Sequence, residues 1–121
     1  MPVHPSAGHR YAELVGRLSA DPLAGAGAEA CSVRVVRVPP GPRTPHRHPH
    51  SVEVIYVAEG EGRFWEGEEV TPVAPGDVLL VPAGTPHATV CTGTSPLVLV
   101  CFFPHPDLSA NLEELPGPLR A

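Results

Sequence analysis

The sequence predicts an all-β domain, and three observations carry that prediction. Seventeen prolines and twelve glycines, about a quarter of the chain, fall between apolar runs and do not cluster, which is the punctuation of many short strands. Glu53, Ile55 and Val57 alternate with Val54 and Tyr56 in the two-residue period of a strand. Residues 97–103, LVLVCFF, are continuously apolar over one strand length, as expected of a strand buried on both faces or covered on one by a neighbouring subunit. A chain of 121 residues has room for one core, burying roughly two-thirds of the unfolded surface.

In chain order, residues 1–29 are read as an arm and a helix. MPVHPSAGHR has no periodicity, so His4 and His9 are expected in solvent. Tyr11, Leu14, Val15 and Leu18 then fall at i, i+3, i+4 and i+7, predicting an amphipathic helix that ends before Asp21-Pro22 and covers the core or a partner subunit. Residues 30–104 form the β domain. Its first long strand, 31–38, has two faces too alike to say which is interior, and PPGPRTP follows as a rigid loop. Counting by twos from His46 places Thr44 on the histidine face and sends Arg43 and Arg47 into solvent.

Beyond Glu53, Ala58–Gly62 is expected to be a tight hairpin. With Gly60-Glu61 as its loop, Val57 pairs with Phe64, placing Phe64 inside and Arg63 and Trp65 outside; a loop one residue longer reverses the assignment. Gly67 among Glu66, Glu68 and Glu69 marks a second, solvated hairpin. Residues 70–73 and 78–81 are further strands. After His87, Thr89 and Cys91 share its face. Residues 105–121 are read as an exposed His105 and then a short helix from an N-capping Asp107 to Leu115, halted by Pro116-Gly117-Pro118.

Charge and composition exclude several classes. Net charge is −5, and the eight basic residues are all arginine and scattered, so nothing resembles a nucleic-acid patch. Without lysine, Schiff-base and lysine-nucleophile mechanisms are excluded. Cys31, Cys91 and Cys101 are odd in number and irregularly spaced, as expected of reduced core thiols, and no run suggests a membrane span or a signal peptide, so a cytoplasmic location is expected.

The chemistry concentrates in Gly41–Gly60. His46, His48 and His50 stand at every second position, with Glu53 three residues on. Imidazoles on one strand face with a carboxylate close in sequence suit one divalent ion per chain, Fe, Mn, Ni or Zn. Spacing alone admits either His46/His48 or His48/His50 as the pair. A second stretch, Gly76–His87, is an apolar strand closed by Pro-Ala-Gly-Thr-Pro, a turn that delivers His87 to the start of the next strand.

Together the two stretches resemble the paired signatures of the cupin superfamily. The first falls on Gly41, His46, His48, Glu53 and Gly60, and the second on Gly76, Pro82, Gly84 and His87, with the resemblance covering roughly residues 30–104. Two departures stand out: Gly41 precedes His46 by one residue fewer than usual, and Cys91 occupies the usual asparagine position. The resemblance implies a single jelly-roll barrel, or double-stranded β-helix, and selects His46, His48, Glu53 and His87 as metal ligands. That leaves His50 exposed at the turn. Thr44, Ile55, Val57, Phe64, Thr89 and Cys91 then line the pocket.

Such a ligand set leaves coordination positions open, as in catalytic metal sites. The resemblance therefore implies a small metal-dependent enzyme of dioxygenase, isomerase, lyase or cyclase type, acting on a small molecule that coordinates through oxygen. A non-catalytic module binding a small ligand is the alternative, and a structural or storage role has no need of the open site. The apolar wall suits an aromatic or other apolar substrate with one polar end, and an inward Arg63 would shift the preference to carboxylates. A homodimer is expected, because the 97–103 strand, Tyr56 and Trp65 offer apolar surface that needs covering.

Overall fold

Among the described residues the glycine and proline punctuation resolves into eleven strands: β1 (Tyr11–Leu14), β2 (Arg17–Ala20), β3 (Ser32–Val38), β4 (His46–Arg47), β5 (Glu53–Glu59), β6 (Gly62–Glu66), β7 (Glu69–Val73), β8 (Val78–Val81), β9 (His87–Cys91), β10 (Leu97–Phe103) and β11 (Glu113–Glu114). The computed structural model describes residues 3–118 and 120–121. A six-stranded sheet runs β1-β2-β3-β10-β5-β8 and faces a five-stranded sheet, β11-β4-β9-β6-β7. The strand pairings within both are antiparallel. Between them lies a core of Val36, Val38, Ile55, Val57, Phe64, Val81, Leu97, Leu99 and Phe103, with others. Strand alternation governs which residues reach it. Leu97, Leu99, Cys101 and Phe103 of β10 point inward and are buried, while Val98, Val100 and Phe102 point outward.

The helix expected over 11–18 is a β-hairpin. Leu14 pairs with Arg17, leaving Val15 and Gly16 as a two-residue loop with φ of 53° and 72°. Positive φ at both loop positions is the type I′ geometry that matches the twist of the flanking strands. The hairpin joins the larger sheet through β2, which pairs with β3. The helix expected from Asp107 is also absent. Asp107 Oδ1 accepts a hydrogen bond from the Ser109 amide at 3.0 Å but is not the N-cap: the chain makes only a single 3₁₀ turn, Ser109–Asn111, with Leu108 at its N-cap and no side-chain cap, before entering β11, which pairs with β4.

A third correction concerns Ala58–Gly62, which is not a hairpin. β5 pairs with β8 and β10, and β6 with β7 and β9, so this segment carries the chain from one sheet to the other. The facing is nonetheless as expected for a Gly60-Glu61 loop, with Phe64 buried and Arg63 exposed. The Gly67-Glu68 hairpin forms as expected, with Glu66 opposite Glu69.

The outer face of the larger sheet is apolar. Val35, Val100, Tyr56 and Val78 make one row across it, and Val33, Phe102, Val54 and Leu80 the next. Tyr56 is 47% exposed, Val78 66% and Leu80 63%.

The crossing between sheets is tight enough to exclude any side chain at Gly62. A Cβ there would strike the Val90 carbonyl oxygen and come within 2.8 Å of Leu97. Gly62→Ala is expected to cost about 2 kcal/mol or more, since backbone yields less readily than side chain. At this size that lowers the melting temperature by about 8 °C, measured by thermal unfolding followed by circular dichroism.

Candidate metal centre

Four ligating side chains converge inside the barrel. His46 on β4 is the cross-strand partner of His87 on β9, which puts two imidazoles of the smaller sheet side by side, with ring centroids 4.4 Å apart. Glu53 begins β5 in the other sheet, opposite Val81. His48 follows β4, its carbonyl fixed by the Gly84 amide at 2.8 Å and its ring set edge-on against Phe103 at 4.7 Å. His46, His48, Glu53 and His87 each offer a ligand atom, all within 4.8 Å of one another. Each residue is at most 3% exposed.

The turn before β9 performs two tasks. Gly84, at φ 77°, supplies the amide that holds His48, and the Thr85 carbonyl accepts from His87 Nδ1 at 2.9 Å. Likewise the Asn111 carbonyl accepts from His48 Nδ1 at 2.8 Å. A carbonyl only accepts, so these contacts assign the proton of each neutral ring to Nδ1 and leave a lone pair on Nε2. Yet His87 Nε2 lies 3.0 Å and His48 Nε2 3.2 Å from the same carboxylate oxygen, Glu53 Oε1. Lone pairs aimed at a carboxylate repel unless a cation stands among them. Nδ1 of His46 is also buried without a hydrogen-bond partner. The residues therefore fit a divalent metal ion, with the outer nitrogens of His48 and His87 anchored to backbone as metal-ligating histidines usually are.

Electrostatics keeps the groups in the protonation states that coordination needs. Burial, reinforced by the charges of His87 and Arg17, pushes His46 well below its ordinary 6.5, so it is neutral near pH 7. Burial alone would raise Glu53, but hydrogen bonds donated by His48 and His87 when their Nε2 atoms carry protons outweigh that and hold its carboxyl well below the usual range, and a bound cation would take the place of those protons.

Of the other pocket candidates, Ile55, Val57, Phe64, Thr89 and Cys91 are buried. Cys91 turns to the following loop, donating its thiol to the Ser95 carbonyl at 3.1 Å. Thr44 is half-buried, on a hollow of about 370 Å³ that it shares with Val15, Gly16, Arg43 and Glu114. His50 is exposed, its ring stacked 6.0 Å from that of His105. Arg63 faces outward, its guanidinium 3.3 Å from the Ala121 carbonyl.

Arg43, expected in solvent, is buried. It donates to the carbonyls of Thr89 at 2.8 Å and Val15 at 2.9 Å, tying the N-terminal hairpin to β9. The expectation failed because β4 begins only at His46, so a two-residue count does not extend back through Pro42 and Pro45. Asn111 was also missed. It is fully buried, its Oδ1 accepts from the His50 amide at 2.7 Å and its Nδ2 donates to Ser51 at 2.8 Å. A buried asparagine clamping the histidine turn has no sequence signal beyond its place near a predicted cap.

Fold and site together define a class: a jelly-roll barrel with an interior centre of three histidines and one carboxylate. The family model for the cupin domain matches residues 34–103, and the chain belongs to that family. It is 38% identical to an uncharacterised protein of Methanocaldococcus jannaschii over 69 residues, 55% of each chain. It is 32% identical to the oxalate-binding protein of Thermotoga maritima, over 51% of this chain and 52% of that one. The chain thus spans about half the length of these curated relatives. In structure it resembles a Streptomyces nucleoside dehydratase seen with uridine, at a TM-score of 0.76 over 95% of this chain and 90% of the other, with 16% identity.

The geometry predicts how metal content responds to substitution and to acid. His48→Ala or His87→Ala is expected to remove most of about one equivalent of divalent metal per chain, and His50→Ala to leave it in place. Elemental analysis of the purified variants checks this, and metal loss on His50→Ala but not on His46→Ala contradicts the ligand set. In acid, the unfolded chain protonates His46 near pH 6.5 while the fold holds it neutral. Its contribution to stability is therefore complete above about pH 6.5 and lost as pH falls toward the lowered folded value. Glu53, also lowered, acts in the same direction at more acid pH. Metal release and a falling melting temperature are expected between about pH 6.5 and 5. A melting temperature indifferent to both pH and chelator contradicts this.

Proposed function

We propose that this protein is a metal-dependent enzyme acting on a small molecule that coordinates the metal through oxygen. The carrying observation is the convergence of three imidazoles and a carboxylate whose facing lone pairs meet no protein donor. His46, His48, Glu53 and His87 are the ligands of one ion, Fe, Mn, Ni or Zn, which when bound supplies Lewis-acid polarisation. The chain's own contribution is a largely apolar interior, with Ile55, Val57 and Phe64 among its buried residues, that excludes water and strengthens polar contacts within it. Dioxygenase, isomerase, lyase and cyclase chemistries all fit such a site. A non-catalytic ligand-binding module is the second reading, supported by the identity to an oxalate-binding protein.

Cys31, Cys91 and Cys101 are free thiols, and burial pushes Cys101 well above its ordinary 9.0. Free thiols support a reducing, cytoplasmic setting. No helix among the described residues is long and apolar enough to cross a membrane.

Loading the protein with each metal in turn and assaying oxygen uptake and substrate loss across phenols, keto acids and uronates tests the enzyme reading. Oxygen uptake with iron alone identifies a dioxygenase, and oxygen-independent turnover an isomerase, lyase or cyclase. Tight binding without turnover under any metal establishes the binding module instead.

A homodimer through the outer face of the larger sheet is the assembly this surface supports. Its two rows of apolar side chains carry no charge, so a second copy meets no like-charge penalty there, and continuous apolar surface of this kind marks an interface. Light scattering at micromolar concentration is expected to give twice the chain mass, and Leu80→Glu to give the monomer.

A further inference from the structure

The N-terminal hairpin places a second set of polar groups inside the barrel, for which the metal centre has no use. Arg17 and Ser19 alternate with the exposed Leu18 on β2, so both point inward, and they are 5% and 3% exposed. Nη1 of Arg17, Oγ of Ser19 and Nε of Arg43 are buried without hydrogen-bond partners. Among the described residues neither Arg17 nor Arg43 forms an ion pair. Arg43 has a structural task in tying the hairpin to β9, whereas no side-chain hydrogen bond from Arg17 is found among those residues. The charge of Arg17 acts on Arg43, and Glu53, already engaged with His48 and His87, acts on both, while Arg34 and Glu114 also act on Arg17. Two neighbouring buried cations with unused donors are costly unless an anion joins them.

We infer that Arg17, with Ser19 and Arg43, forms an anion subsite inside the barrel that receives the carboxylate of a small substrate, beside the metal centre. The inference deepens the enzyme reading and rests on it for the word substrate; the subsite itself requires only binding. A guanidinium is a planar fork matched to two carboxylate oxygens, and the field of Arg17 extends to Glu53 and His46. A small acid held there has its other oxygen directed to the ion. This replaces the aromatic substrate suggested by the apolar wall. It also restores the carboxylate preference that an outward Arg63 had removed, through different arginines. Arg17 lies outside the residues matched by the family model, so the subsite belongs to this chain's own hairpin.

Calorimetric titration of the full chain with malonate, pyruvate, inorganic phosphate and glucose tests it. A carboxylate is expected to bind and glucose to give no heat. Arg17→Gln is expected to weaken carboxylate binding tenfold or more without changing metal content, and Arg17→Lys, which keeps charge but not the fork, to recover part of the loss. The ligand-free melting temperature of Arg17→Met is expected to match or exceed that of the parent, because an uncompensated buried charge is gone. Carboxylate affinity within twofold of the parent in both Arg17→Gln and Arg17→Met overturns the subsite, as does the absence of any carboxylate binding by the parent. Phosphate binding alone overturns the carboxylate assignment. Retained carboxylate binding without turnover under any metal supports the subsite while refuting the enzyme.

Discussion

Glu53 Oε1 is the atom on which the interior of this barrel depends. It belongs to the first residue of a strand in the larger sheet, yet it meets His87 Nε2 from β9 of the smaller one and His48 Nε2 from the residue that follows β4. Fully desolvating a carboxylate is expensive, and only partners of opposite or compensating charge make it tolerable. The two sheets are thus joined at their centre by an electrostatic cluster and elsewhere by apolar contact. The surrounding turns serve this one point. Gly84, Thr85 and Asn111 present backbone groups to His48 and His87, which sets the direction from which each lone pair arrives.

The segments outside the family match also contribute to the interior. β2 brings Arg17 and Ser19, and the turn before β11 brings Asn111. The His/Glu cluster within the family match and these polar groups outside it are all buried. Fold likeness fixes the scaffold, and the chemistry is decided by the side chains added to it.

Much of the fold was legible because two rules operate without ambiguity. Period-two alternation assigned the inner face of β5 and, given a Gly60-Glu61 loop, that of β6, and backbone punctuation placed His87 after a turn. The failures arose where the local pattern admits two answers. Tyr11, Leu14, Val15 and Leu18 satisfy a helical period, but Val15-Gly16 also satisfies a two-residue hairpin, and pairing with β3 decides between them. Gly60-Glu61 looks like a hairpin because adjacent strands usually pair; here the jelly-roll path sends them to opposite sheets. The cluster of His46, His48, Glu53 and His87 was readable from spacing together with the family resemblance. Arg43 was not, because proline ends the parity on which the count relied, and Asn111 was not, because its role depends on a contact across 63 residues of chain.

That last contact has a kinetic consequence. His48 presents its Nε2 lone pair only once the Asn111 carbonyl has engaged Nδ1, and His87 only once its own turn has closed. A chain emerging from the ribosome therefore exposes the first three ligating residues well before either ring is oriented, and closing so long a loop is among the slower steps of folding. Docking of the C-terminal turn is the event that converts loose imidazoles into a directed set. An ion held by the cluster would accordingly be acquired late in assembly, once that turn has docked.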